Sequence, residues 1–472
     1  MDQMDQTMPK WRRYLLVQPP LMLLLIALTM SGTILTDLIL YRTCLETLRL
    51  NETECQILHN NSTSEEALKI DSMVQPYTSL IVTAKAFLQS IFPSILSLFL
   101  GPWSDKYGRK PLMLSGYIGI SITYLLLSIM ADWDVVPWYL LIAFIPSALL
   151  GGISILILAS TCYITDMIDD NERAWHLAWL EALLSLGGLI GLLSGPVILK
   201  AYGYTAVFSV ATVLCILATL YILLFVPETV HSRTSGIRKI FDLTQVRDII
   251  NACVRKRSGF NRSLVWSCIA CLTILLVVFE GYLTIGYLFT NARLGWTVEE
   301  YSIYNAAGIV VTILGTISGI KLMRKYAGFP DAVIAIVSVI SALGSVLVRA
   351  FTWQSWHMYL SMTIGMFGDI SRPMIRALLS KAVPTQDTGK VFSVATSLEA
   401  LLPFAAATLY SSFYTYYMPP LYPLPVWFLS AGLYVITIVI LIYIQREVTR
   451  SATSPYIPIN DDSESISYQG NV

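Results

Sequence analysis

Gly101-Pro102-Trp103-Ser104-Asp105-Lys106-Tyr107-Gly108-Arg109-Lys110 is the stretch on which the reading of this chain turns. Gly101 and Gly108 permit a tight turn and close approach of the flanking helices. Asp105 can neutralise a helix N-terminus or a facing arginine. Arg109 and Lys110 can pair with acids at the end of a neighbouring helix, where Asp166, Asp169 and Asp170 are available. Gly101, Asp105, Gly108, Arg109 and Lys110 together have the makings of a conformational latch. An ordinary basic turn is the plainer reading of the ten residues alone, so the flanks must decide.

Those flanks are apolar. The chain has 472 residues, 55% hydrophobic and only 13% charged, against about 25% charged in a soluble domain. A bilayer core needs roughly 20 apolar residues per helix, because no backbone polar group can stay unpaired in lipid. Twelve segments meet that requirement: 15–41, 77–100, 111–131, 137–164, 174–199, 205–226, 264–290, 301–322, 330–349, 356–380, 388–415 and 424–445. With the N-terminus inside, and with Lys321, Arg349 and Lys390 at segment ends counted with the adjoining loops, 22 of the 31 Lys and Arg fall on the cytoplasmic side, 6 on the other (Arg349 among them) and 3 within segments (Lys85, Arg372, Arg376). That asymmetry is the positive-inside pattern, so both termini are expected in the cytosol. Segment one is too long for a signal-peptide core and reads as an uncleaved anchor.

The expected organisation is an all-α membrane protein of twelve transmembrane helices in two pseudo-symmetric six-helix bundles. Residues 1–14 form a cytoplasmic N-terminus and 15–230 the first bundle, with an extracellular loop at 42–76. Residues 231–263 form a cytoplasmic central loop, 264–445 the second bundle and 446–472 a cytoplasmic tail. Balanced charge, 31 Lys+Arg against 31 Asp+Glu, leaves no field to gather a nucleic-acid polymer. Four His and seven scattered Cys show no zinc-ligand spacing, so neither a metal nor a cofactor is expected.

The 42–76 loop carries glycosylation sequons at Asn51, Asn60 and Asn61. Cys44 and Cys55 share that oxidising side; a disulfide between them and two free thiols are both open. In the tail, Tyr456-Ile457-Pro458-Ile459 has the Tyr-x-x-apolar form a sorting adaptor reads by strand addition. It places the protein at the plasma membrane or an endolysosomal membrane.

The 101–110 stretch, in the short cytoplasmic turn between segments two and three, resembles the G-x-x-x-D-x-x-G-R-R/K signature of the major facilitator superfamily. Pro227-Glu228-Thr229, closing segment six, resembles the superfamily's Pro-Glu-Ser/Thr stop. Gly319 to Lys325 resembles a degraded second copy of the first motif, lacking its acid. Leu35-Thr36-Asp37…Tyr41-Arg42, Leu180-Glu181-Ala182 and above all Pro373-Met374-Ile375-Arg376-Ala377-Leu378-Leu379-Ser380-Lys381 resemble solute carrier family 46. That family includes the proton-coupled folate transporter, the thymic stromal cotransporter and a lysosomal member. The resemblance implies the major facilitator fold and import of bulky organic anions such as folates, cyclic dinucleotides or muropeptides, several members being proton-linked. By resemblance, Asp166, Glu181 and Arg376 match positions tied to transport. The folate branch's two functional His have no counterpart here, and span seven reads Val278-Phe279-Glu280-Gly281. The family's partner for Cys55 is replaced near Gly295-Trp296, which favours Cys44 in that role.

Ionisable groups inside spans cost several kcal/mol and are site candidates by default. Arg376 is the foremost, since a guanidinium cannot deprotonate and grips carboxylate or phosphate through two parallel hydrogen bonds. Arg372, one turn earlier on the same face, would help bracket a dianion. The competing reading pairs both with Asp369 or lipid phosphate at the cytoplasmic helix end. Glu181 beside Gly187-Gly188, Glu280 in place of the missing His, and Asp166 are the proton-coupling candidates. Tyr282 is a candidate for stacking on substrate. Asp37 and Lys85 read equally as a salt bridge or as path-lining groups, and Glu399 as an extracellular closure.

The leading reading is a secondary active transporter, not an enzyme, importing an organic anion with protons by alternating access. A facilitative uniporter and a non-transporting receptor or accessory protein on the same scaffold are the alternatives. No G-x-x-x-x-G-K-[ST] run supports an ATPase, and no filter-like run supports a channel.

Overall fold

The computed structural model describes residues 16–55, 65–167, 170–228, 262–382, 388–417 and 424–453, and within these ranges the chain is helical apart from short connections. Segment one is Gln18–Arg42, opened by Pro19 and Pro20 in the first turn, where a missing N–H costs nothing. Segment two is Glu65–Tyr107 and segment three Lys110–Ala131. Segments five and six are one helical run, Asp170–Phe225, bent at Gly203 (φ 80°). Segments seven, eight and nine are Arg262–Leu294, Val298–Ile320 and Asp331–Ala350. Segments eleven and twelve are Thr388–Tyr417 and Leu424–Thr453. Among the described residues, eight helices are long and apolar enough to cross a membrane.

Three features differ from the sequence reading. Segment two begins twelve residues early, so the end of the 42–76 loop is already helix. Segment four is not one helix: a tight 3₁₀ stretch, Pro137–Phe144, runs into Ile145–Leu149, and the chain restarts at Gly152–Met167. The break falls at Gly151 (φ 103°) and Gly152 (φ 59°), backbone that side-chain-bearing residues avoid. Segment ten is broken as well, into Ser355–Ile364, a turn of 3₁₀ helix at Gly368–Ile370, and Ser371–Lys381.

Each break leaves a carbonyl without its helical partner, which is costly away from water. Each is answered by a serine from the preceding segment. Ser115 Oγ of segment three lies 3.4 Å from Leu150 O, sharing its proton with Leu112 O of its own helix (2.9 Å), and Ser341 Oγ of segment nine donates to Ile364 O (2.6 Å). The two halves thus carry the same device at matching positions.

In the first half, segment one lies along segment five through Gly187, Gly191 and Gly195. A Cβ there would stand 2.9, 2.5 and 2.6 Å from the carbonyl oxygens of Met22, Ile26 and Met30. Small residues every fourth position are what lets two membrane helices touch backbone to backbone. The halves meet near the end that carries Asn51. There Ser79 of segment two bonds Thr415 of segment eleven (3.2 Å), and Tyr414 donates to Gln75 (3.4 Å). Deeper along the same helices, the Phe87 and Phe404 rings pack edge-on at 5.1 Å. Cys44 and Cys55 form a disulfide beside this junction.

Candidate functional site

The inner turn ties two motifs into one. Gly108 adopts φ 123°, and a Cβ there would stand 2.5 Å from Glu228 Oε2. The buried Arg109 donates its backbone N–H to Glu228 Oε1 (2.9 Å), and Lys110 Nζ donates to Leu223 O (2.9 Å). The partner seen for this turn is therefore the end of segment six. The side chains of Gly101's neighbours up to Tyr107, Asp105 included, and those of Asp166 and Asp170 lie outside the described residues, as does Asp169. Sequence reading gave Glu228 only a stop-signal role. Its contact with Gly108 needed the fold, since 119 residues separate Glu228 from Arg109.

Each arginine of segment ten has its own acid. Arg376 Nη2 donates to both carboxylate oxygens of Glu399 (3.1 and 3.3 Å), with the arginine about half exposed. Glu399 thus belongs to Arg376 in this structure rather than to an outer closure. Arg372 is 3.9 Å from Asp369 and lies over the Phe279 ring at 4.4 Å. Glu280, next along from Phe279, interacts electrostatically with Arg372. Segments seven, ten and eleven therefore bring together Glu280, Asp369, Arg372, Arg376 and Glu399 as two acid–base clusters.

Asp37 and Lys85 do not pair. Asp37, 1% exposed, accepts hydrogen bonds from Tyr204 (2.7 Å) and, across the halves, from Tyr287 (2.5 Å). Lys85 instead points at the Phe144 ring, 5.5 Å from its centroid and beside the break in segment four. Tyr282 is partly buried. Its hydroxyl donates to Asn305 (3.5 Å) and its ring lies 6.2 Å from that of Trp427.

The residue that sequence reading missed is Arg349. Counted there among the outer cations, it ends the helix Asp331–Ala350 with its side chain turned inward. Its guanidinium lies over Tyr282, 4.5 Å from the ring centroid, and its Nε donates to Ser361 Oγ (3.2 Å), one turn before the break in segment ten. Tyr301, Tyr304 and Tyr434 surround it closely enough to interact electrostatically. A signal existed: Ser338, Ser341, Ser345 and Arg349 recur at three- and four-residue spacing, a polar stripe down an otherwise apolar helix.

Of the remaining expectations, Asn51 is exposed. Asn60, Asn61, Tyr456 to Ile459 and nearly all of the 231–263 loop lie outside the described residues, as does the Glu181 side chain.

The sequence profile of the Major Facilitator Superfamily matches residues 65–408, nearly three quarters of the chain. The chain belongs to that superfamily. Its relatives include members of solute carrier family 46. It is 27% identical over 414 residues to the "Probable peptidoglycan muropeptide transporter" of Drosophila melanogaster, covering 85% of this chain and 80% of the relative. It is 25% identical over 433 residues to the proton-coupled folate transporter of Bos taurus (91% and 92% covered). To the lysosomal proton-coupled steroid conjugate and bile acid symporter of Rattus norvegicus it is 28% identical over 441 residues (89% and 92%). Among solved structures, the human organic anion transporter MFSD10 superposes with a TM-score of 0.64 at 18% identity, covering 92% of this chain and all of that one. The peptide transporter PepTSo gives 0.67 at 13% identity, covering 94% and 99%. These similarities make the chain a multi-pass membrane transporter related to proton-coupled carriers, not an enzyme. They establish the major facilitator fold that the 101–110 stretch implied.

Proposed function

We propose that this transporter imports a bulky organic anion together with protons, by rocking its two six-helix halves about a central site at the plasma or an endolysosomal membrane. The observation that carries the reading is that three arginines of segments nine and ten, 349, 372 and 376, are held by side chains of the second half. Ionisable groups on membrane-spanning segments are candidates for a functional site. The relatives' printed substrates (muropeptide, folate, steroid conjugate and bile acid) share an acidic group on a large body. The two missing His of the folate branch argue for a substrate other than folate.

The Arg376–Glu399 pair supplies a route to coupling. While Glu399 is ionised both of its carboxylate oxygens accept from Nη2 of Arg376, so it competes with any other anion for that guanidinium. A proton on Glu399 removes that competitor and frees Arg376 for a substrate carboxylate or phosphate. Glu280, which interacts electrostatically with Arg372, is a second candidate for the coupling proton, and Glu181 and Asp166 are the candidates from the first half. Tyr282 offers a ring face.

Uptake of labelled folate, a muropeptide and a bile acid by cells displaying the protein at their surface tests this. Uptake of at least one substrate will rise as external pH falls and be lost in Arg376→Ala. Glu399→Gln, which keeps the shape but not the charge, will flatten the pH profile. Uptake independent of pH in the wild type would remove the coupling claim, and none at any pH would remove the carrier reading of these three classes.

A further inference from the structure

We infer that Arg349 is a further group that grips the substrate's anion, in addition to Arg376, and that the tyrosines around it select an oxyanion mounted on a flat ring body. This rests on the anion-carrier reading and adds to it a position and a substrate class.

The argument begins with partners. Buried cations are held by acids because an uncompensated one is costly. Even the partly or half-exposed Arg376, Arg372 and Arg324 each have one: Glu399, Asp369 and Asp331. Arg349 makes no ion pair among the described residues; it has only the Ser361 hydroxyl and the Tyr282 ring. Both contacts fix its plane. Tyr282 covers one face and Ser361 takes Nε, which leaves the Nη groups to meet a ligand. A guanidinium held this way binds a carboxylate, sulfate or phosphate through parallel charge-assisted bonds, with little entropy left to lose.

The walls set the rest. Tyr282 adjoins Trp427, and Tyr304 packs against Trp296 (5.3 Å) and Tyr359 (5.5 Å). Aromatic faces favour a planar body over a flexible chain. Arg349 remains partly solvent-accessible, so a ligand can reach it. Its anchor, Ser361, immediately precedes the break in segment ten. Interrupted helices at corresponding positions of two repeats are where substrate sites of such carriers form.

The test uses purified full-length protein in detergent without added phospholipid. Thermal unfolding is followed with a maleimide dye that reports exposure of the buried thiols Cys215, Cys268 and Cys271. The probes are pyrenesulfonate and pyrenebutyrate, with neutral pyrenemethanol as the control. Both anions will stabilise the wild type saturably and pyrenemethanol will not. Arg349→Gln will weaken the anions about tenfold or more, the value of one charge-assisted bond or better. Arg349→Lys will restore part of it. Monodispersity and an unshifted probe-free melting curve will show that the variants fold. Equal anion binding by wild type and Arg349→Gln would overturn the inference, and if pH-driven uptake persisted the carrier reading would survive it. Failure of the wild type to bind either anion would overturn the ring-oxyanion class. Stabilisation by phosphatidylglycerol but not by the pyrene anions, lost in Arg349→Gln, would assign the arginine to lipid and equally overturn it.

Discussion

Replacing Gly108 with alanine puts the inner turn to a quantitative test. The new Cβ would lie 2.5–2.9 Å from the three carboxyl atoms of Glu228, so the carboxylate must leave. Its bond to the Arg109 N–H then goes, and a hydrogen bond to a charged group is worth about 1.5–3 kcal/mol. The φ of 123° adds about 1–3 kcal/mol of backbone strain for any side-chain-bearing residue. Gly108→Ala should therefore cost about 2.5–6 kcal/mol on these two counts. Glu228→Ala should cost only the first, and Glu228→Gln, which keeps an acceptor, less still. Once Glu228 is gone, Gly108→Ala has only strain left to add. The double-mutant cycle should therefore show a coupling of about 1.5–3 kcal/mol. Equilibrium unfolding in mixed detergent micelles gives the four values. Additive costs, with coupling under about 0.5 kcal/mol, would refute the claim that these two positions form one latch.

Two further outcomes follow from the outer side. Asp37→Asn and Tyr287→Phe each remove a carboxylate–phenol bond between the halves. Either should raise labelling of a cysteine placed in the outer cleft about tenfold, and unchanged labelling would show that the contact does not hold that side shut. Cys44→Ser should lower stability by about 3 kcal/mol for a loop of this length, measured by thermal unfolding, with Cys55→Ser matching it and the double variant no worse.

How much of this was legible beforehand depended on whether a signal ran along the chain or across it. The twelve segments, the 101–110 turn and the Cys44–Cys55 bond are local or nearly so, and the structure bears out the helical fold and the bond. Segments four and ten were read as single helices because an apolar run has the same hydropathy whether or not Gly151 and Gly152 interrupt it. Arg349 was assigned by position, at the end of a segment, when the face it occupies was what mattered. Glu399 and Arg376 sit 23 residues apart on different helices, so no spacing rule could join them. The link between Gly108 and Glu228 is a contact of tertiary structure, invisible to either motif alone.

The paired breaks at 150–152 and 364–368 bear on how the molecule could move. A continuous helix resists bending because every turn is bonded to the next, yet at each of these sites one serine hydroxyl stands in for the ladder. Releasing such a bond costs only about 1 kcal/mol, far less than melting a turn inside a membrane. Segments four and ten can therefore flex at a fixed pivot while their outer and inner pieces stay rigid. A carrier built so can tighten around its cargo at mid-depth without waiting for the entire half to swing.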